Sequence, residues 1–198
     1  MINSMKVTTE AAIQQTATWV QDVIVKYNFC PFARPEVEQE KIRYQVVASN
    51  KLDEALMACI QECEWLDQHP ETETTLLILP YGFQRFEDFL ELVDYANELL
   101  EVQGYEGVYQ LATFHPDYVF ADTDADDAAN YTNRAPFPIL HLLREATLEK
   151  VLAEYKDPET IPERNIEFAR RKGADFFMNI LQRIMDGTSH GQAPKDKP

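Results

Sequence analysis

Cysteine is scarce in this sequence: Cys30, Cys59 and Cys63 are the only three in 198 residues. An odd number, one of them distant from the other two, gives no disulfide framework, so in a reducing compartment all three are expected to be free thiols. Any special role for them is therefore catalytic or metal-binding. Positive charge is also scarce, with 18 lysines and arginines against 34 aspartates and glutamates, a net charge of −16 and a pI near 4.6. The resulting field repels nucleic-acid phosphates and anionic membranes, which argues against a polynucleotide or membrane partner. A cationic ligand, a divalent metal or a basic protein patch is compatible with it, whereas an anionic substrate needs a local arginine cluster working against it. Long apolar runs are missing as well. No window approaches the roughly 18 uncharged apolar residues of a membrane span, and the opening MINSMKVTTEAAIQQT lacks the basic start and apolar run of a signal peptide. A cytoplasmic protein is the expectation.

What is present is enough for a packed core: 45% apolar and 11% aromatic residues in a chain of ordinary single-domain length. Apolar spacing predicts a first helix from Thr8 to Lys26, with Thr8 or Thr9 as its cap. A strand over Ile42–Val47, a helix over Lys51–Gln68 and a strand over Thr74–Leu79 follow, then a helix over Arg85–Gln103 stopped by Gly104 and a strand over Val108–Phe114. Alternation of this kind implies right-handed crossovers and parallel pairing. The fold class expected is α/β: one domain over residues 5–185 with a small, largely parallel sheet of three to four strands, a β-α-β-α-β unit covered by helices. After a long loop, a helix is expected over Ile139–Ala153 with Pro138 in its first turn, and a last helix from about Pro162 to Met185. Residues 186–198 read as a disordered tail.

The loop from Phe114 to Pro138, FHPDYVFADTDADDAANYTNRAPFP, is the most informative segment. It leaves the carboxyl end of a predicted strand, where ligands bind in open α/β sheets, and it is too long to be a simple connector. Its Asn, Thr and Asp side chains equally suit the other role of a long loop, satisfying its own backbone. The run DTDADD has the alternate aspartates of a calcium loop, but Asp127 stands where glycine is needed and Asn133 where a glutamate is needed. No stretch matches a reaction-specific motif, no cofactor is named by the sequence, and the oligomeric state is left open.

Taken together and in this order, the segments NFCPFA, FHPDY, NYTNRAPFP, HLLRE and PERN resemble the uncharacterised bacterial family known as domain of unknown function 1415. The resemblance runs over most of residues 10–175 and implies a grouping without a mechanism. The residues it marks are Cys30 to Phe32, His115 to Tyr118, Asn130 to Arg134, then His141, Arg144 and Asn165.

Within that set, His115 is the candidate acid or base, Asp117 its orienting partner and Cys30 a candidate nucleophile, if a neighbouring cation lowers its pKa. The sequence FCPF equally suits a buried packing cysteine, and Cys59 and Cys63 fall on the apolar face of their helix. Asn130 and Asn133 are candidate hydrogen-bonding groups, and Arg134 and Arg144 a candidate two-point grip on a carboxylate or phosphate. His141, on the predicted helix, would share a face with Arg144. No metal site is assigned, although carboxylates and imidazoles near the loop suit a divalent ion. Two functions compete: an enzyme acting on a small anionic metabolite at residues 115–145, and a non-catalytic module that binds a ligand or a protein there.

Overall fold

A computed structural model of the chain describes residues 7–188. Thr8 opens the first helix, α1 (Thr9–Trp19), by accepting the Ala11 N–H through its hydroxyl at 3.1 Å. The helix turns its buried face, Ala12, Thr16 and Trp19, to the core. It does not run on regularly to Lys26. Residues Val20–Val25 widen into a π-turn, with the Lys26 N–H bonded to the Gln21 carbonyl and the Phe29 N–H to that of Ile24. Val20, Val23 and Ile24 of this turn stay on the buried face that Ala12, Thr16 and Trp19 begin. A short helix follows that the sequence did not announce, α2 (Ala33–Glu38).

Strand β1 (Ile42–Val46), helix α3 (Leu52–Gln68), strand β2 (Thr74–Ile78), helix α4 (Phe86–Val102) and strand β3 (Tyr109–Phe114) stand close to the expected positions. The segment after the long loop does not. Ile139–Arg144 forms a strand, β4, and a helix, α5 (Glu145–Glu154), begins only at Glu145. ILHLL is an apolar run interrupted only by His141, which suits a buried strand as well as a helix, and the sheet decides between them. β4 enters between β2 and β3 and pairs antiparallel with both, setting His141 opposite Leu76 on one side and Ala112 on the other. The sheet order is β1-β2-β4-β3, with β1 and β2 parallel and the other two pairings antiparallel. The class is therefore α/β, as expected, but the sheet is mostly antiparallel instead of largely parallel. The expected last helix is also two, α6 (Ile161–Lys172) and α7 (Ala174–Met185), broken at Gly173, whose φ of +84° a helix cannot contain. The expected tail from residue 186 falls outside the described residues from 189 onward.

Two cores sandwich the sheet. On one face α3 and α4 bury Cys59, Cys63, Leu66, Phe89 and Leu92 against Leu77, Leu140 and Leu142. On the other, α1, the π-turn, α6 and α7 pack Trp19, Val20, Phe29 and Phe177 against Leu76 and Ile139. Each fully buried Leu or Phe contributes about 1.5–3 kcal/mol, so both faces are firmly held. On the second face, however, the packing is not complete. α5 buries no residue fully, and between it and the sheet a space is left open.

Candidate functional site

That space is a cavity of about 470 Å³. Its floor is the second face of the sheet, built by the two-residue period of three strands: Thr74 and Leu76 from β2, Ala112 and Phe114 from β3, His141 and Leu143 from β4. Trp19, Val20 and Ile24 close one side, and the turn carrying Cys30 and Phe32 a second. Leu148 and Val151 of α5, with Pro162 and Asn165 of α6, complete the wall. Phe32 and Tyr155 meet edge to face at 5.4 Å and join the turn to the end of α5.

His141 is the best-defined polar group here. Thr74 donates its single hydroxyl hydrogen to the Leu142 carbonyl, so its oxygen can only accept from His141 Nε2, 2.7 Å away. That fixes the neutral tautomer with hydrogen on Nε2 and leaves Nδ1 as an acceptor without a partner. The residue lies deep in the protein and its open surface borders the cavity; burial brings its pKa down to about 4. At neutral pH the cavity floor thus presents a lone pair, not a charge.

Cys30 is exposed and lines the same cavity. Its position is set by α6: Arg164 donates to the Asn28 carbonyl at 2.7 Å and Asn165 Nδ2 to that of Phe29 at 2.7 Å. The segments NFCPFA and PERN, far apart in sequence, therefore hold one turn together. The surrounding apolar wall pushes the Cys30 thiol up, against the Phe32 and Ala33 backbone N–H groups that favour the thiolate. Burial outweighs them, so at neutral pH it is a thiol.

The other predicted residues are arranged differently. His115 is fully buried on the opposite face of the sheet, between Phe86 and Phe89 at 5.2 and 5.1 Å. Both ring nitrogens are engaged, Nε2 with the Phe83 carbonyl at 2.9 Å and Nδ1 with the Asp117 N–H at 3.0 Å, and burial lowers its pKa. Asp117 meets it through its backbone, not its exposed carboxylate. Asn130 is fully buried and ties the loop to itself: it accepts from the Phe120 N–H and the Thr123 hydroxyl and donates to the Asp124 carbonyl. Arg134 donates to the carbonyls of Tyr118 and Ala125. Asn133 reaches the cavity, while its Nδ2 is bonded to the Thr113 carbonyl at 3.2 Å. Arg144 borders the cavity too, but its guanidinium is bonded to the carbonyls of Leu66, His69 and Thr72, at and beyond the end of α3.

The structure thus brings Cys30, Asn133 and Arg144 to one cavity and leaves His115, Asp117, Asn130 and Arg134 outside its lining. The expected helix start at Pro138, and the helical face shared by His141 and Arg144, are replaced by β4, from whose end the Arg144 guanidinium reaches the carbonyls at and beyond the end of α3. Of DTDADD, Asp127 is paired with Arg170 at 2.7 Å, which holds its carboxyl below the usual range. Among the described residues no group of three or more His, Cys, Asp or Glu is gathered as for a metal ion. Sequence reasoning missed Thr74, Glu36 and Glu73 as cavity residues. Thr74 looks like any strand residue, and the two glutamates look like solvated charge in a chain with 34 acids.

No helix of the described residues is long and apolar enough to cross a membrane. No curated protein and no solved structure matches the chain. A family model described as protein of unknown function DUF1415 matches residues 11–179, which include every segment that builds the cavity, and the chain belongs to that family.

Proposed function

We propose that this protein binds a small, largely apolar molecule in the cavity on the second face of its sheet, with His141 among the few polar groups that orient it. The cavity itself carries this reading. Its volume of about 470 Å³ lies within the ~300–1,000 Å³ of small-molecule sites, and its wall is aromatic and aliphatic with a few polar atoms. The pocket is partly open to solvent, so a molecule can enter it, and covering its apolar wall removes that surface from water. An anionic occupant has less support, because the guanidiniums of Arg134 and Arg144 are bonded to backbone carbonyls.

The test uses N-phenyl-1-naphthylamine, a neutral apolar fluorophore, as reporter. Saturable binding of one molecule per chain is expected. Ala112→Phe, which grows from β3 into the cavity, is expected to weaken it at least about tenfold while the melting temperature stays within a few degrees. Absence of saturable binding, or unchanged binding by the variant, would contradict the reading.

A second reading, an enzyme transforming that molecule, is favoured by Cys30 and the open Nδ1 of His141 sharing one cavity. Its measure is the rate of Cys30 alkylation by iodoacetamide at pH 7 in the presence and absence of bound ligand. A thiol that stays slower than free cysteine in both states removes Cys30 as nucleophile.

A further inference from the structure

Two carboxylates border the cavity without partners. Glu36 on α2 and Glu73 just ahead of β2 both line it, and Glu36 Oε2 and Glu73 Oε1 are each buried with no hydrogen bond. The backbone of Lys41 brings them together, its N–H bonded to the Glu36 carbonyl and its carbonyl to the Glu73 N–H, both at 2.9 Å. Neither carboxylate belongs to an ion pair among the described residues, whereas buried Glu62 is paired with Arg43 and Asp127 with Arg170, each at 2.7 Å. Among the described residues that line the cavity, the other charged side chain is Arg144, already bonded to carbonyls. Burial and the neighbouring charge of Glu73 hold Glu36 above the usual carboxyl range, against the smaller opposing pull of Lys41. Desolvated, mutually repelling carboxylate oxygens destabilise a fold, and a cation set between them reverses both effects.

We propose that the cavity's ligand is an organic cation, an apolar body ending in an ammonium group, with its nitrogen held by Glu36 and Glu73 and its body against the aromatic and aliphatic wall. This rests on the cavity being a ligand site. The chemistry favours an ammonium over a metal ion. A divalent ion asks for about six oxygen ligands or retained water, and the rest of this wall is largely apolar. An ammonium has three N–H donors, two of which these oxygens satisfy, and its carbon body suits the remaining surface. The net charge of −16 draws a cation in.

The experiment compares primary alkylamines from hexylamine to dodecylamine with the alcohols of the same length, at pH 7, by displacement of the neutral reporter. The amines are expected to bind about tenfold or more tightly than their alcohols, and Glu36→Gln and Glu73→Gln each to remove most of that advantage while alcohol and reporter affinity stay unchanged. Amines no tighter than alcohols in the wild-type protein, or an advantage that survives both substitutions, would overturn the inference and leave the cavity reading standing. Loss of reporter binding in the wild-type protein would remove both. A stabilisation by manganese alone that exceeds that by any amine would assign the carboxylates to a metal and overturn the organic cation.

Discussion

The loop from Phe114 to Pro138 is dense in polar residues and the cavity it borders has few, and the two treat polarity in opposite ways. In the loop several polar side chains are closed on the backbone: Asn130, Arg134 and His115 together bond to main-chain groups of six different residues. At the cavity, His141 Nδ1, Glu36 Oε2 and Glu73 Oε1 have no hydrogen-bond partner among the described residues. A loop this long must satisfy its own amides before it can do anything else. Groups left unsatisfied inside a fold are the ones available to a ligand. The difference teaches that a dense polar motif can mark a scaffold, while the site lies where polar groups are few and unpaired.

Mutation can break that comparison. The largest effect is expected from His115→Ala, which empties a fully buried ring position and orphans the Phe83 carbonyl and Asp117 N–H: a loss of about 3–5 kcal/mol in denaturant unfolding. A loss under about 1 kcal/mol would move His115 out of the scaffold. His141 gives an acid-lability next in size. Its folded pKa of about 4 against the ordinary 6.5 leaves the folded state short of a proton between those values. Stability is therefore lost as pH falls from about 6.5 towards 4, by about 3 kcal/mol in all. His141→Gln should flatten that part of the pH–stability curve, and an unchanged slope would reject the assignment. Asn130→Ala removes three hydrogen bonds from a buried side chain and should cost about 2–3 kcal/mol, with no effect on reporter affinity.

The smallest effect sharpens the comparison from the cavity side. Because Glu36 is held above the ordinary carboxyl range, the folded state keeps a proton that the unfolded chain has already released, and stability falls as pH rises through that window. Glu36→Gln is therefore expected to raise the melting temperature at pH 7 by about 1–2 °C and to make no difference below pH 4, read by calorimetry. A destabilised variant at pH 7 would show Glu36 to be a structural partner instead of an open group.

Much of the fold was legible because amphipathic periods are local. The spans of β1, α3, β2, α4 and β3 follow directly from Ile42–Val46, Leu52–Gln68 and the segments after them. β4 was not legible: ILHLL fits a strand or a helix, and its fate depends on an empty slot between β2 and β3 that no local signal describes. The π-turn at Val20–Val25 was hidden for a related reason, since one extra residue per turn leaves the composition unchanged. Of the site, Cys30, Asn133 and Asn165 were visible through the segments that resemble the family, and all three line the cavity. Glu36 and Glu73 were not visible, because what distinguishes them is the absence of a partner, a property of three dimensions alone.

The central claim is that a ligand enters the cavity on the second face and not the polar loop. Methyl NMR with the neutral reporter tests it most directly. Shifts are expected at Leu76, Ala112, Leu148 and Val151, with Leu140 and Leu142 on the opposite face and Ala128 and Ala129 in the loop unmoved. Shifts centred on Ala128 and Ala129, with the first four methyls silent, would contradict it.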